Sequence, residues 1–165
     1  MEEYNYLKHT FEPVWNENSK ALVLGTFPSV KSREYGFYYG HPQNRFWKVI
    51  SAITGQDVPA DIEDKKKLLL GNNIALWDVI AMCSIKGSSD STIKDVTANN
   101  LLPLINGSRI TKIYANGAKS YELYMKYSYT ETGMEIIRLP STSPANAVYT
   151  LEKLVASWSI LIASA

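Results

Sequence analysis

The sequence predicts an α/β protein: a three-layer α/β/α sandwich around a short, mostly parallel central sheet, formed as a single domain over residues 1–165. Three observations lead there. Four short apolar runs recur along the chain, helical patterns separate them, and the segment after each run is polar and rich in small residues. Strands that alternate with helices form parallel sheets, because a parallel neighbour needs a long crossover and a helix supplies it. With 45 % apolar residues, the chain carries enough to cover both faces of such a sheet.

The elements follow in order. Residues 21–24 (ALVL) read as the first strand. Residues 45–54 place Phe46, Val49, Ile50 and Ile53 on one helical face and close at Gly55, a C′ glycine. Residues 61–70 form a second helix, with Asp61 as N-cap and a stop at Gly71-Asn72. The second strand is 74–77 (IALW). A helical pattern over 97–105 is interrupted by Pro103. The third strand, 110–115, leads through the Asn116-Gly117 turn into a helix at 118–126. The fourth strand, 135–139, precedes a long helical pattern over 145–162 that carries Leu151, Leu154, Val155, Trp158 and Ile162.

Composition narrows the function classes. The net charge is +1, so any nucleic-acid partner must meet a local positive patch rather than a basic protein. The one cysteine, Cys83, rules out a disulfide framework and multi-cysteine metal sites. The first residues, MEEYNYLKHTFEP, are acidic and mixed, unlike a signal peptide, and no apolar run approaches the roughly 20 residues of a membrane helix. The expectation is a cytoplasmic monomer that uses no metal and no cofactor.

Ligands of open parallel sheets bind beyond the carboxyl ends of the strands, so the segments after the strands should carry the chemistry. The first, from Gly25 to Trp47 (GTFPSVKSREYGFYYGHPQNRFW), is far longer than the usual connection of about 4–6 residues. The others are DVIAMCSIKGSSDS, NGAKS and PSTSPANA. Lys31, Arg33, Arg45, Lys48, Lys86 and Arg138 give these segments a moderately basic rim. Their hydroxyls and backbone amides suit phosphate.

Three stretches, GTFPSVKS…YYGHPQNRFW, IALWDVIAMCSIKGSSDSTI and LPSTSPANA, resemble the uracil-DNA glycosylase superfamily, and within it the branch of DNA-deoxyinosine (hypoxanthine-DNA) glycosylases. The resemblance covers residues 21–149 in the correct order. It implies an enzyme that binds damaged DNA, flips out a deaminated base and hydrolyses its N-glycosidic bond with water, leaving an intact abasic backbone. Hypoxanthine is the first expectation. Uracil, mismatched thymine and a non-catalytic DNA- or nucleotide-binding module on the same fold are the alternatives.

The resemblance also implies site residues. Gly25-Thr26-Phe27-Pro28 stands where other branches place a water-positioning Asp or Asn third in the tetrad. Phe27 has no polar group to do this, and the duty falls to Asn44 of His41-Pro42-Gln43-Asn44. Asn44 is equally suited to cap the helix that follows it. His41 is either a general acid or a hydrogen-bonding residue of the loop. Phe27, Gly25, Tyr39 and Asp78 are the expected base-binding residues, and Phe27 either stacks on the flipped base or fills the core beneath Pro28. Of Tyr38 and Tyr39, one is expected in the core. Asp78 either accepts a purine N–H or caps the next turn. Ser141, Ser143, Pro144 and Ala145 are expected to hold the DNA backbone, with amides from the following helix, and Lys31 and Arg45 to meet phosphates. Some relatives carry a large apolar wedge just after the proline, where this chain has the small Ala145 and Asn146. Tyr149 or another loop would then fill the stack.

Overall fold

The computed structural model describes residues 3–164. The elements run β1 (Asn5–Lys8), β2 (Ala21–Gly25), α1 (Val30–Tyr35), α2 (Phe46–Thr54), α3 (Ile62–Gly71), β3 (Ile74–Asp78), β4 (Ile80–Lys86), β5 (Ser89–Ala98), α4 (Leu102–Asn106), β6 (Lys112–Asn116), α5 (Ala118–Tyr127), α6 (Tyr129–Thr132), β7 (Ile136–Leu139), α7 (Leu151–Trp158) and α8 (Ile160–Ser164). The four expected strands form one parallel sheet in the order β3-β2-β6-β7. β2 is buried along its whole length, as a central strand covered on both faces must be.

Alternation along β2 divides the core. Ala21 and Val23 point to one face, where Phe46, Val49 and Ile50 of α2, Leu68 and Leu69 of α3, and Leu154 and Trp158 of α7 cover the sheet. Leu22 and Leu24 point to the other, against Leu104 of α4, Leu123 and Tyr124 of α5, and Ile80, Cys83 and Ile85 of β4. The fold is thus the expected sandwich of helices around a parallel sheet, with one addition. A second, antiparallel sheet, β1-β4-β5, covers part of one face. No helix among the described residues is long and apolar enough to cross a membrane.

The caps that the sequence signals are present. Asp61 accepts a hydrogen bond from Asp64 N–H at the start of α3, and Gly55 closes α2 in the left-handed region at φ 68°. Three expectations need correction. The segment after β3, read as a loop, continues as the β4–β5 hairpin. Its pairing slips register three times, which blurs the two-residue alternation that marks a strand. The helix expected over 97–105 is only α4, because β5 runs to Ala98 and Pro103 sits in the first turn, where its missing N–H costs nothing. The long helix expected over 145–162 begins six residues late, at Leu151, with Thr150 as its N-cap.

Candidate active site

Gly25 and Asp78 end β2 and β3 side by side, and the segments beyond β2, β3, β6 and β7 close over them around a cavity of about 330 Å³. Gly25, Phe27, Tyr39, His41, Asn44, Asp78, Ser141, Ser143, Pro144 and Ala145 all line it. The chain from 25 to 47 folds back on itself to reach it. Ser29 caps the short α1, and Gly36 ends it at φ 87°. Gly40 N–H then donates to Ser32 Oγ, which turns the His41–Asn44 segment toward the strand ends.

One wall is a neutral amide network. Asn44 Oδ1 accepts from Phe46 N–H at 2.9 Å and from the Thr142 hydroxyl at 2.9 Å. Two donors identify this atom as the oxygen and leave Nδ2 without a protein hydrogen bond among the described residues. Thr142 is held in turn by Asn116 at the end of β6, whose Nδ2 donates to Thr142 Oγ1 and whose Oδ1 accepts from Thr142 N–H, both at 3.0 Å. Asn44 therefore does stabilise the start of α2, and it also faces the cavity. His41 is a hydrogen-bonding residue of its loop and also lines the cavity. Its Nδ1 accepts from Gln43 N–H at 3.0 Å.

The floor is charged and more deeply buried. Asp78 Oδ2 lies 2.8 Å from His9 Nε2, with both side chains nearly inaccessible. His9 arrives from outside every motif read in the sequence. β1 pairs with β4, and His9 N–H donates to Ala81 O just past that pairing. Tyr38 and Tyr39 both line the cavity, and Tyr38 is also a core residue whose hydroxyl donates to Glu12 O. Tyr39 stacks on Phe46 with centroids 4.2 Å apart and takes a positive φ of 54°. Its hydroxyl is buried and unpaired, facing Asn116 short of bonding geometry. Burial first, then the Asp78 charge, raise its pKa. Phe27 is 8 % exposed, and it belongs to the core against Leu24 and Val79 while also lining the cavity.

Two expected phosphate contacts are placed elsewhere. The Arg45 guanidinium turns inward and donates to Ser143 O at 2.8 Å, Asn146 O at 3.0 Å and Tyr149 O. Ser143 O and Asn146 O also accept from Asn146 N–H and Tyr149 N–H, so Arg45 braces a run of turns over 143–149 that precedes α7. Arg33 likewise faces inward, to Gly87 O. Lys31 is exposed on α1, 3.6 Å from Glu34, and does not line the cavity. The amides after Pro144 are also no helix N-terminus. Ser141 Oγ accepts from Ser143 N–H, and Ser143 Oγ from Ala145 N–H.

A second groove continues from the first through Asn116, Ser141, Ser143 and Ala145. Lys119 and Arg138 line it, beside the start of α5. Gly117, at φ 98°, packs against Ser141 so closely that a Cβ would stand 3.0 Å from the Ser141 Cβ. Asp90, on β5 beyond the hairpin turn, borders both cavities. Although the residue as a whole is exposed, its carboxyl is shielded enough that burial, helped by Asp78 and opposed by Lys119, pushes its pKa up to about 6. Tyr149 packs against the α2–α7 core, while Val148 beside it is 77 % exposed.

Residues 12–161 match the Uracil DNA glycosylase superfamily. The chain belongs to this superfamily. It is similar to two proteins named hypoxanthine DNA glycosylase. The one from Methanosarcina barkeri is 34 % identical over 143 residues, covering 84 % of this chain and 88 % of the relative. The one from Methanosarcina acetivorans is 35 % identical over 144 residues, covering 85 % and 89 %. The solution NMR structure of a candidate uracil DNA glycosylase from Methanosarcina acetivorans superposes with a TM-score of 0.80 at 34 % identity, over 94 % of this chain and 96 % of that one.

Proposed function

We propose that this chain, acting as one domain and as a cytoplasmic monomer, is a monofunctional DNA glycosylase that removes deaminated bases, hypoxanthine first. The relatives named hypoxanthine DNA glycosylase support the substrate class. The observation that carries the reading is the single cavity at the strand ends that gathers Asn44, Phe27, Tyr39, Asp78 and the 141–145 segment. Its volume, about 330 Å³, falls at the small end of ligand sites and suits one extruded base.

Cleavage of an N-glycosidic bond develops positive charge on the sugar, as in other glycoside hydrolyses, and negative charge on the departing base. An amide cannot take a proton at neutral pH, so Asn44 acts by holding the attacking water in line rather than by deprotonating it. Its Oδ1 already serves Phe46 and Thr142, so Nδ2 is the group free to hold the water oxygen. His41, with Nδ1 occupied by Gln43, carries its neutral-form proton on Nε2 and is the donor toward the leaving base. Phe27 stacks against the base. Ser141, Ser143 and Ala145 border the groove for the DNA backbone, with Lys119 and Arg138 as its cations, and Pro144 lines the adjoining cavity. Val148, the exposed apolar residue of the segment, enters the stack where the base has left.

The test is incubation with duplexes that carry hypoxanthine, uracil, xanthine or a thymine mismatch, followed by alkali. Abasic sites are expected, most from hypoxanthine, with no nick before alkali and no adduct trapped by borohydride. Lack of base release from every duplex would refute the reading.

A further inference from the structure

We infer that the exposed face of the antiparallel β1-β4-β5 sheet is a second DNA-binding surface, which holds single-stranded DNA flanking the lesion. The inference rests on the glycosylase reading for the class of the partner. The surface itself rests on three features outside the active-site cavity.

The first is an open aromatic face. Side chains alternate across a strand, and Leu7 of β1 turns inward onto the core with Cys83 and Ile85 of β4. Tyr6 and Lys8 therefore stand on the outer face, where the register sets Tyr6 opposite Ser84 and Ser84 opposite Lys94. Tyr4, just before β1, is 41 % exposed, and Tyr6 is 59 % exposed. The Tyr6 hydroxyl donates to Met82 Sδ at 3.8 Å, so the ring leans across β4 and most of it stays in solvent.

The second is charge without neutralisation. Lys86 Nζ and Lys94 Nζ both come to the Tyr4 ring, 4.9 and 4.0 Å from its centroid. One ring thus gathers two ammonium groups from two strands against their mutual repulsion. Neither they nor Lys8 form an ion pair among the described residues. In a chain of net charge +1, three such cations on one sheet are a local excess, and a polyanion would relieve it.

The third is continuity with the groove beside the active site. Lys94 also lines a depression between β5 and α5, together with Lys119 and Lys126. Asp95 and Glu122 are the acids of that depression, so its three lysines remain in excess. Lys119 in turn lines the groove that joins the cavity. Positive charge therefore runs from Arg138 and Lys119 to Lys94 and Lys86.

Ammonium groups attract the phosphates of any nucleic acid, and the open ring selects among them. In a duplex the base faces cover one another, and only edges and backbone are presented. An unpaired base offers its face to a tyrosine ring, whatever the base. The surface therefore matches a single strand held without regard to sequence.

The test is fluorescence anisotropy with duplexes carrying 2′-fluorinated deoxyinosine, which resists cleavage, or 2′-fluorinated deoxyadenosine as the undamaged control. Each is used blunt, with a single-stranded extension of about ten thymidines at one end or the other, and with a double-stranded extension of the same length. One single-stranded extension should tighten binding of the intact protein roughly tenfold, equally for damaged and undamaged probes. Tyr6→Ala should remove most of this gain, and Tyr6→Phe, which keeps the ring, should retain it. The double variant Lys86→Ala/Lys94→Ala should reduce the gain and lower its salt slope by about 0.7 for each lysine. Melting temperature and affinity for the blunt duplex should not change in these variants, because the residues lie on the surface and away from the cavity. Equal affinity with and without the single-stranded extensions would overturn the inference even if hypoxanthine is excised. A gain matched by the double-stranded extension, or one that survives in both Tyr6→Ala and the double lysine variant, would overturn it too. A gain that depends on Tyr6, without excision of any base, would leave the surface standing and remove the glycosylase reading instead.

Discussion

The wall and the floor of the cavity are built in opposite ways. The wall joins Asn44, Thr142 and Asn116, neutral groups that face one another from three segments at hydrogen-bond distances of 2.9–3.0 Å. The floor joins Asp78 to His9, an ionisable pair held together inside the protein by a strand from the far N-terminal side. The neutral network holds Asn44 through two donors to its Oδ1 whatever the ligand, so it suits a group that must keep one geometry while charge moves past it. A carboxylate with one oxygen uncommitted is satisfied only by a ligand that donates, so it suits selection. Under the proposed function the wall governs rate and the floor governs choice.

The largest expected effect breaks the two apart. Asn44→Ala should lower hypoxanthine excision about 10²–10³-fold, the scale seen for preorganised polar groups in active sites. Stability should fall by about 1–2 kcal/mol from the lost cap and the orphaned Thr142 hydroxyl. Preference for deoxyinosine in binding should survive. Single-turnover kinetics, a melting curve and the fluorinated duplexes measure the three quantities. A loss of rate no larger than the loss of folded protein would make Asn44 a capping residue only.

A smaller effect concerns the groove that feeds both surfaces. Lys119→Ala and Arg138→Ala should each weaken damaged and undamaged DNA alike, and each should lower the salt slope of binding by about 1. Lys31→Ala should change neither, because Lys31 pairs with Glu34 on α1 and does not line the cavity. Fluorescence anisotropy across a salt series separates these outcomes. A loss confined to damaged DNA would move Lys119 or Arg138 from the backbone to the base.

The smallest effect belongs to Asp90, which borders both cavities with its pKa pushed up to about 6. As pH falls through that value the carboxyl takes up a proton and the groove loses a negative charge, so DNA binding should tighten from pH 7.5 to 5.5. Folding works the same way. The group binds its proton more tightly folded than unfolded, so its contribution weakens stability as pH rises from about 4 to about 6. Asp90→Asn should flatten both trends, as read by anisotropy and by melting curves at each pH. An unchanged pH slope in binding would place Asp90 outside the DNA path.

The sequence by itself determined the parallel sheet, its helices on both faces and the identity of most residues at the strand ends. Each of those rests on local information. An apolar run such as ALVL has few structures open to it, Asp61 and Gly55 mark their helix ends within one turn, and the carboxyl end of a parallel strand is where a loop must emerge. Only the tertiary structure decided what depends on distant partners. His9 lies just past a short, mostly exposed strand whose residues carry no core pattern, and it reaches Asp78 only because β1 pairs with β4. The hairpin that carries Asp90 turns at Gly87-Ser88, and its slipped register hid the alternation. Arg45 reads from sequence as a surface cation, and only the fold brings it to three carbonyls in a segment about a hundred residues away. A side chain's charge is written in the sequence, whereas the group that satisfies it is fixed only when the chain has folded around it.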